Sequence, residues 1–125
     1  RAGEAAAPSV VLPLVPGRQR PDPDLIAALR QVMTDHVGVV RDARGLKTAL
    51  RRIAALEAQA LGDVNFGNMT ATATLIAAAA LLRQESRGAH CRSDFPVANP
   101  ALARPSRLTL AEALALRQIV TETPE

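Results

Sequence analysis

The sequence has no tryptophan and no tyrosine, and its 125 residues include only two phenylalanines and one cysteine. A single cysteine, Cys91, excludes an internal disulfide and is typical of a protein in a reducing cytoplasm, where we expect this chain to reside. Proteins that bind single-stranded nucleic acid stack bases on aromatic side chains, and this sequence has almost none to offer. We therefore expect no nucleic-acid partner.

Motifs for binding nucleotides and metals are also missing. No two glycines stand at G-x-G spacing and no GK[ST] occurs, so the chain does not contain its own glycine-rich phosphate-binding turn. His36 and His90 are far apart in sequence, and His90 and Cys91 are adjacent rather than at metal-ligand spacing. Adjacent residues seldom orient as nucleophile and base, so Cys91 is interpreted as an incidental loop thiol. We expect no metal, no cofactor-binding residue and no catalytic residue within this chain.

Long apolar runs are absent as well, although 48% of the residues are hydrophobic. The most apolar stretch, residues 71–82, is shorter than the ~20 residues that a membrane-spanning helix needs. No charged and apolar pattern of a signal peptide is visible at the start. The length favours one domain, and we expect it to have no membrane partner.

The apolar residues that are present repeat at helical spacing and predict four helices, over residues 23–37, 43–61, 68–86 and 109–121. Asp22 and Pro23 favour a helix start, and Gly38, Gly62 and Gly88 are predicted to end helices. Thr109 and Glu112 have the spacing of a capping box. The turn-forming residues 62–68 are expected to form a connection, and no strand is predicted.

These elements predict an all-α fold, an antiparallel three-helix bundle followed by a loop and a short fourth helix at the C-terminus. The third helix is apolar on nearly every side, which is typical of a buried central helix. Residues 1–21 are rich in proline and are predicted to form an extended linker. The bundle domain is then predicted to cover residues 22–125.

Polar chemistry is concentrated after the third helix, in the stretch ESRGAHCRSDFP. The net charge is +3, and residues 87–107 hold four arginines against Asp94 alone. Arg87, His90 and Arg92 suit carboxylates, phosphates and carbonyl oxygens as partners, and Asp94 could tether one of them. The residues leave two interpretations open, a solvated loop after a helix or a docking loop against another polar surface.

The segment LLRQESRGAHCRSDFP, residues 81–96, resembles the E-S-R-G-x-H-x-R-x-D-[FY]-P motif of the succinate dehydrogenase and fumarate reductase flavoprotein family. The upstream stretch LIAALRQVMTDHVGVVRDARGLKTALRRI resembles the V-G-x-V-R turn and G-L helix of the same family. The resemblance covers about three-fifths of the chain, from about residue 23 to 96, with the segments in the family's order.

Within that family the short helical ending resembles the L-aspartate oxidase branch. The resemblance implies a C-terminal helical domain of an enzyme that oxidises L-aspartate to iminoaspartate for quinolinate and NAD synthesis. FAD would be bound by an upstream domain that this chain does not include, and the FAD-binding and capping domains would be the chain's partners. Arg87, His90, Arg92 and Asp94 would then lie at the interface with the flavoprotein body.

Two alternatives remain open at this point. The same domain occurs in succinate dehydrogenase and fumarate reductase flavoproteins, whose substrate is different. The chain could also be a free-standing helical module that binds an acidic partner through residues 87–107. Neither the substrate nor the oligomeric state follows from the sequence.

Overall fold

A computed structural model describes residues 20–124 of the chain. It contains four α-helices, α1 (Pro23–Val37), α2 (Ala43–Ala58), α3 (Val64–Leu82) and α4 (Leu110–Glu122). Two very short strands, β1 (Val40–Arg41) and β2 (Cys91–Arg92), and a 3₁₀ helix, Pro100–Leu102, complete the fold. The predicted all-α class is confirmed. The predicted linker 1–21 lies almost wholly outside the described residues.

Every α-helix begins at a side chain that accepts a backbone N–H of the first turn. Asp22 accepts from Asp24 N at 2.9 Å, and Asp42 accepts from Gly45 N at 2.7 Å. Asp63 plays the same part for α3. Thr109 and the Glu112 side chain form the reciprocal pair of a complete capping box. Such caps satisfy amides that have no partner inside the helix, and this explains why α1, α2 and α4 begin where the sequence predicts, to within one residue.

The predicted end of the second helix and both predicted ends of the third were wrong. The second helix ends at Ala58 rather than 61, and a turn region that includes Gly62 at φ +91° follows it. The third begins at Val64 and ends at Leu82, four residues earlier at each end than predicted. The Asn and Gly content of residues 64–68 predicts a turn, but Asp63 caps a helix that runs through them. Gly88 is not the C-cap, because it lies in a later turn with φ +58°.

The hydrophobic core lies between α2 and α3, each of which contacts all three other helices. Alanine lines much of this contact, with Ala49, Ala77 and Ala78 fully buried. Small side chains let the helix axes approach closely, so a core with few aromatic residues can still be well packed. Phe66 is the one large aromatic ring in the buried core of the described residues.

The fourth helix belongs to the bundle rather than following it as an appendage. It packs on both α2 and α3 and buries Ala113 and Val120. Arg117 donates to both carboxylate oxygens of Glu57 on α2, at 2.9 and 3.0 Å, and to the Thr74 hydroxyl on α3 at 3.1 Å. Its single guanidinium therefore joins three helices.

The helix α3 is long and apolar enough, by length and composition alone, to span a bilayer. In the described structure 44% of its most apolar 18-residue window is buried, against the other three helices. Buried core helices of helical bundles commonly meet the same criteria, so this feature is weak evidence for a membrane span.

The prediction that no strand forms was also wrong. β1 and β2 pair in parallel, with Val40 opposite Cys91 and Arg41 opposite Arg92. Each strand has only two residues, and no periodic pattern can be read from so short a segment. The pairing matters because it fixes the loop after α3 against the corner between α1 and α2.

Candidate functional site

The polar loop, defined here as residues 83–99, begins where α3 ends and is organised around a buried carboxylate. The Glu85 side chain is fully buried and pairs with both Arg83 and Arg87. Arg87 donates to it through Nε and Nη2 at 3.1 to 3.2 Å, and the Asn99 backbone N–H donates at 2.8 Å. A buried charge must be paired and hydrogen-bonded to be tolerated, and Glu85 satisfies both conditions.

The second centre of the polar loop is Arg92, whose side chain is only 1% exposed. Its Nε and Nη2 each donate to Asp94 at 2.7 Å, in the bidentate geometry of a strong charge-assisted pair. Its Nη1 donates to the carbonyl oxygens of Ala80 and Leu81 at 2.8 and 3.0 Å. Those carbonyls belong to the last turn of α3, where intrahelical donors run out, so Arg92 serves as the C-terminal cap of that helix.

Asp94 also connects the polar loop to the start of α2. Its second oxygen accepts the Ala43 backbone N–H at 3.1 Å, in the first turn of α2. The neighbouring Ser93 N–H donates to the Arg41 carbonyl at 2.8 Å, continuing the strand pairing. A carboxylate is favourable at a helix N-terminus, so one aspartate stabilises both the arginine cap of α3 and the start of α2.

His90 lies between Arg41 and the end of α3. Its Nδ1 is 3.1 Å from Arg41 Nη1, and its Nε2 is 3.0 Å from the Arg83 carbonyl oxygen. A guanidinium can only donate and a carbonyl can only accept. The two contacts fit the tautomer of His90 that accepts at Nδ1 and donates from Nε2–H.

Arg83 ties the segment after the polar loop to the end of α3. Its guanidinium donates to the carbonyl oxygens of Leu102 at 3.0 Å and Arg104 at 2.9 Å. Inside the loop the Ser86 hydroxyl donates to the Phe95 carbonyl at 2.8 Å and accepts from the Arg92 N–H at 2.9 Å. Side-chain donors thus hold both the polar loop and the segment after it in place.

The structure brings together the four residues predicted to form an interface, Arg87, His90, Arg92 and Asp94, within this one loop. Their contact with a flavoprotein body stays a prediction. Arg92 has no exposed donor to offer a partner, because its guanidinium is bonded within its own domain and its side chain is buried. The Arg87 side chain is 41% exposed, which leaves it accessible to a second surface.

Sequence reasoning missed the roles of Glu85, Arg83 and Arg41. The alternation Arg83-x-Glu85-x-Arg87 is a signal that could have indicated a carboxylate held between two cations. Arg41 stands in the V-G-x-V-R stretch, where its Nε caps the Gly38 carbonyl at 2.8 Å. Its distance of 49 residues from His90 gave the sequence no means of pairing the two.

The arginines of this site hold its two carboxylates in the ionised form. The Arg87 hydrogen bonds lower the pKa of Glu85 to about 2, and those of Arg92 lower the pKa of Asp94 to about 2. A general base or acid works best with a pKa near the operating pH, so neither carboxylate suits proton transfer near neutrality. Residues 20–124 also contain no cluster of three or more groups that could hold a metal.

A family comparison connects this architecture to known proteins. The model described as "Fumarate reductase flavoprotein C-term" matches residues 26–67 and 63–118, which include most of all four helices and the whole polar loop. The chain belongs to this family. The resemblance noted in the sequence is thereby confirmed.

Individual relatives include L-aspartate oxidases and a fumarate reductase polypeptide. The chain is 48% identical to L-aspartate oxidase of Rhodospirillum rubrum over 80 residues, which are 64% of the chain and 28% of that protein. It is 43% identical to L-aspartate oxidase of Caulobacter vibrioides over 108 residues, 83% of the chain and 20% of that protein. A fumarate reductase (CoM/CoB) polypeptide of Methanothermobacter marburgensis is 36% identical over 61% of the chain and 17% of that polypeptide.

The chain therefore spans only a fifth to about a quarter of the length of the first two relatives. It is homologous to the C-terminal region of flavoprotein oxidoreductases.

Proposed function

We propose that this chain is the C-terminal accessory domain of an FAD-dependent L-aspartate oxidase. The observation that carries the proposal is the match to an L-aspartate oxidase over 83% of the chain but only 20% of the relative. The reaction would be the oxidation of L-aspartate to iminoaspartate, in the cytoplasm, as a step towards NAD. The domain itself is non-catalytic.

FAD does not fit this chain's own residues. The sequence lacks a glycine-rich phosphate turn, and the buried donors of the polar loop are already bonded to Glu85, Asp94 and helix carbonyls. We therefore assign FAD to another part of the polypeptide. The partners of this domain would be the FAD-binding and capping domains, with neither nucleic acid nor membrane involved.

The domain would act as a rigid support. The polar loop joins α3, the corner between α1 and α2, and the segment before α4 through side-chain hydrogen bonds. Such a cross-linked surface changes shape little on docking, which lowers the entropic cost of association. Arg87 and His90 would supply the polar contacts of that surface, and Arg92 and Asp94 would hold the loop from inside.

The test is to express the full polypeptide that carries this chain and assay oxidation of L-aspartate and of succinate separately, following hydrogen peroxide release or dye reduction. The proposal expects aspartate turnover. The second candidate is a succinate dehydrogenase or fumarate reductase flavoprotein, which the similarity to a fumarate reductase polypeptide supports. Succinate turnover without aspartate turnover would favour this candidate. The 125-residue chain alone should be colourless and inactive, and a yellow sample would contradict the assignment of FAD elsewhere.

A single substitution tests the supporting role. Arg87→Ala in the full polypeptide should lower the flavin content after gel filtration or reduce the melting temperature, because the buried Glu85 loses one of its two arginine partners. Arg52→Ala is the matched control, since Arg52 is exposed on α2 and no hydrogen bond or ion pair joins it to the polar loop in the described residues. Equal flavin content and melting temperature in the two variants would count against a supporting loop.

A further inference from the structure

Beside the polar loop lies a cavity of about 420 Å³ that is lined by positive groups. Its walls are formed by Arg83, Arg87, His90, Ala103, Arg104 and Pro105. No carboxylate contributes to this lining. We refer to it as the arginine pocket.

The charge of the arginine pocket is not neutralised from within. Glu85 lies buried and pairs with Arg83 and Arg87 together, so one negative charge serves two guanidiniums. Arg104 adds a third positive charge. The cluster therefore keeps a net charge of two positive units around a concave surface, where the field of like charges is focused.

Donors remain free at the mouth of the arginine pocket. Arg104 is exposed, and within residues 20–124 its backbone groups have hydrogen-bond partners but its guanidinium has none. Arg87 uses Nε and Nη2 for Glu85 and Asn99, which leaves Nη1 without an acceptor among the described residues. Guanidinium groups bind planar oxyanions in bidentate geometry. Two such groups with spare N–H donors line the same pocket.

The remaining walls indicate which oxyanion fits. Ala103 and Pro105 give the arginine pocket an apolar side next to its cationic one. A carboxylate on a short aliphatic stem would place its oxygens on the arginines and its methylenes on that apolar side. The volume of about 420 Å³ also exceeds what a single small ion would fill.

We propose that the arginine pocket binds a carboxylate, supplied as an acidic side chain by the flavoprotein body against which this domain docks. The docking part rests on the function proposed above, whereas the affinity for a carboxylate is a property of this chain alone. Arg104 and Arg87 would hold the carboxylate head, with Arg87 oriented by Glu85.

The carboxylate site can be tested on the 125-residue chain with acetate as the probe. Acetate replaces chloride at constant ionic strength while NMR follows the arginine Nε–Hε signals and the Ala103 amide. Saturable shifts confined to these signals are expected, and Arg104→Ala should weaken acetate binding at least about fivefold, corresponding to about 1 kcal/mol. Arg52→Ala should leave acetate binding unchanged. Linear shifts throughout the chain, or an equal loss in Arg52→Ala, would overturn the site, and saturation by inorganic phosphate but not by acetate would overturn its assignment to a carboxylate.

The docking part is tested in the full polypeptide by charge reversal. Arg104→Glu should lower flavin retention or the melting temperature, and Arg104→Lys should restore most of the loss, whereas Arg52→Glu should have little effect. Wild-type behaviour of Arg104→Glu would overturn docking through this pocket, even with acetate binding intact. Absence of aspartate oxidation in the wild-type polypeptide would instead overturn the proposed function, and the acetate titration is independent of that result.

Discussion

Replacing Arg92 by methionine should destabilise the domain more than changing any exposed arginine. Methionine keeps much of the aliphatic stem, so the change removes mainly the guanidinium. Five side-chain hydrogen bonds are lost, two to Asp94 and one each to the carbonyls of Ala80, Leu81 and Arg83. The last of these is long, at 3.4 Å, and contributes least.

The magnitude follows from which groups lose a partner. Removing one member of a buried ion pair costs about 3–5 kcal/mol. The Asp94 side chain is 30% exposed and can be rehydrated, so the cost of breaking this ion pair lies at the low end of that range. The buried Ala80 carbonyl adds about 1 kcal/mol as an acceptor without a donor. We expect a total loss of about 4 kcal/mol, a large part of the roughly 5–15 kcal/mol typical of a domain.

The assay is urea and thermal unfolding followed by circular dichroism at 222 nm, because the chain has no Trp or Tyr to report by fluorescence. A loss of this size should lower the melting temperature by about 15 °C. Arg92→Lys keeps the charge but not the fork geometry, so it should recover only part of the loss. Arg52→Ala is the control and should change stability by less than about 0.5 kcal/mol.

A loss below about 1 kcal/mol in Arg92→Met would refute this reasoning. It would mean that water or neighbouring donors replace the arginine at the end of α3. The polar loop would then be an added feature of the bundle rather than part of its stabilising structure.

Other parts of the structure lead to three more expected outcomes. Because the folded pKa of Glu85 is lowered from 4.5 to about 2, the stability that Glu85 contributes is complete above pH 4.5 and is lost as the pH falls towards 2. In thermal melts across this acid range, the melting temperature should therefore fall less in Glu85→Gln than in the unchanged chain, and an equal fall in both would contradict this. Arg117→Met should lower the free energy of unfolding in urea by about 2 kcal/mol. Arg117 donates to Glu57 and lowers its pKa, so the effects of Arg117→Met and Glu57→Gln should be less than additive in the double variant. An added Cβ meets no other atom at Gly67 or Gly88, so the backbone conformation decides the effect of each substitution. Gly67→Ala in α3 should stabilise by about 1 kcal/mol because alanine favours a helix, and Gly88→Ala should destabilise by about 1 kcal/mol because its φ is +58°. Changes of the same sign in thermal melts would contradict this.

Local sequence signals accounted for much of the fold. Asp22, Asp42 and Thr109 are capping residues next to periodic apolar stretches, and α1, α2 and α4 begin at or next to them, because a cap acts within three residues of itself. The sequence places the end of α3 too late because the helix ends at the C-cap residue Arg83 rather than at Gly88, and its last carbonyls accept from Arg92, ten residues beyond Leu82. A cap that acts through space leaves no local pattern.

In the candidate site, too, the sequence predicted some features and left others to the fold. The concentration of Arg, His and Asp after the third helix was visible in the sequence, and the motif resemblance identified the family correctly. The sequence could not show that Arg92 faces inward while Arg87 remains accessible, because both are arginines in one short loop. Nor could it show that Arg104 comes beside Arg83 and Arg87, since that requires the chain to turn back at Pro100–Leu102.

The sequence by itself determined the helical class, most helix starts and the family, because these depend on contacts between residues close together along the chain or on a long motif. Only the tertiary structure decided the parallel pairing of β1 with β2, the hydrogen bonds of His90 with Arg41 and Arg83, and the unneutralised charge of the arginine pocket. Each of these depends on which distant groups the packed helices bring within hydrogen-bond distance, and spacing along the chain does not encode that distance.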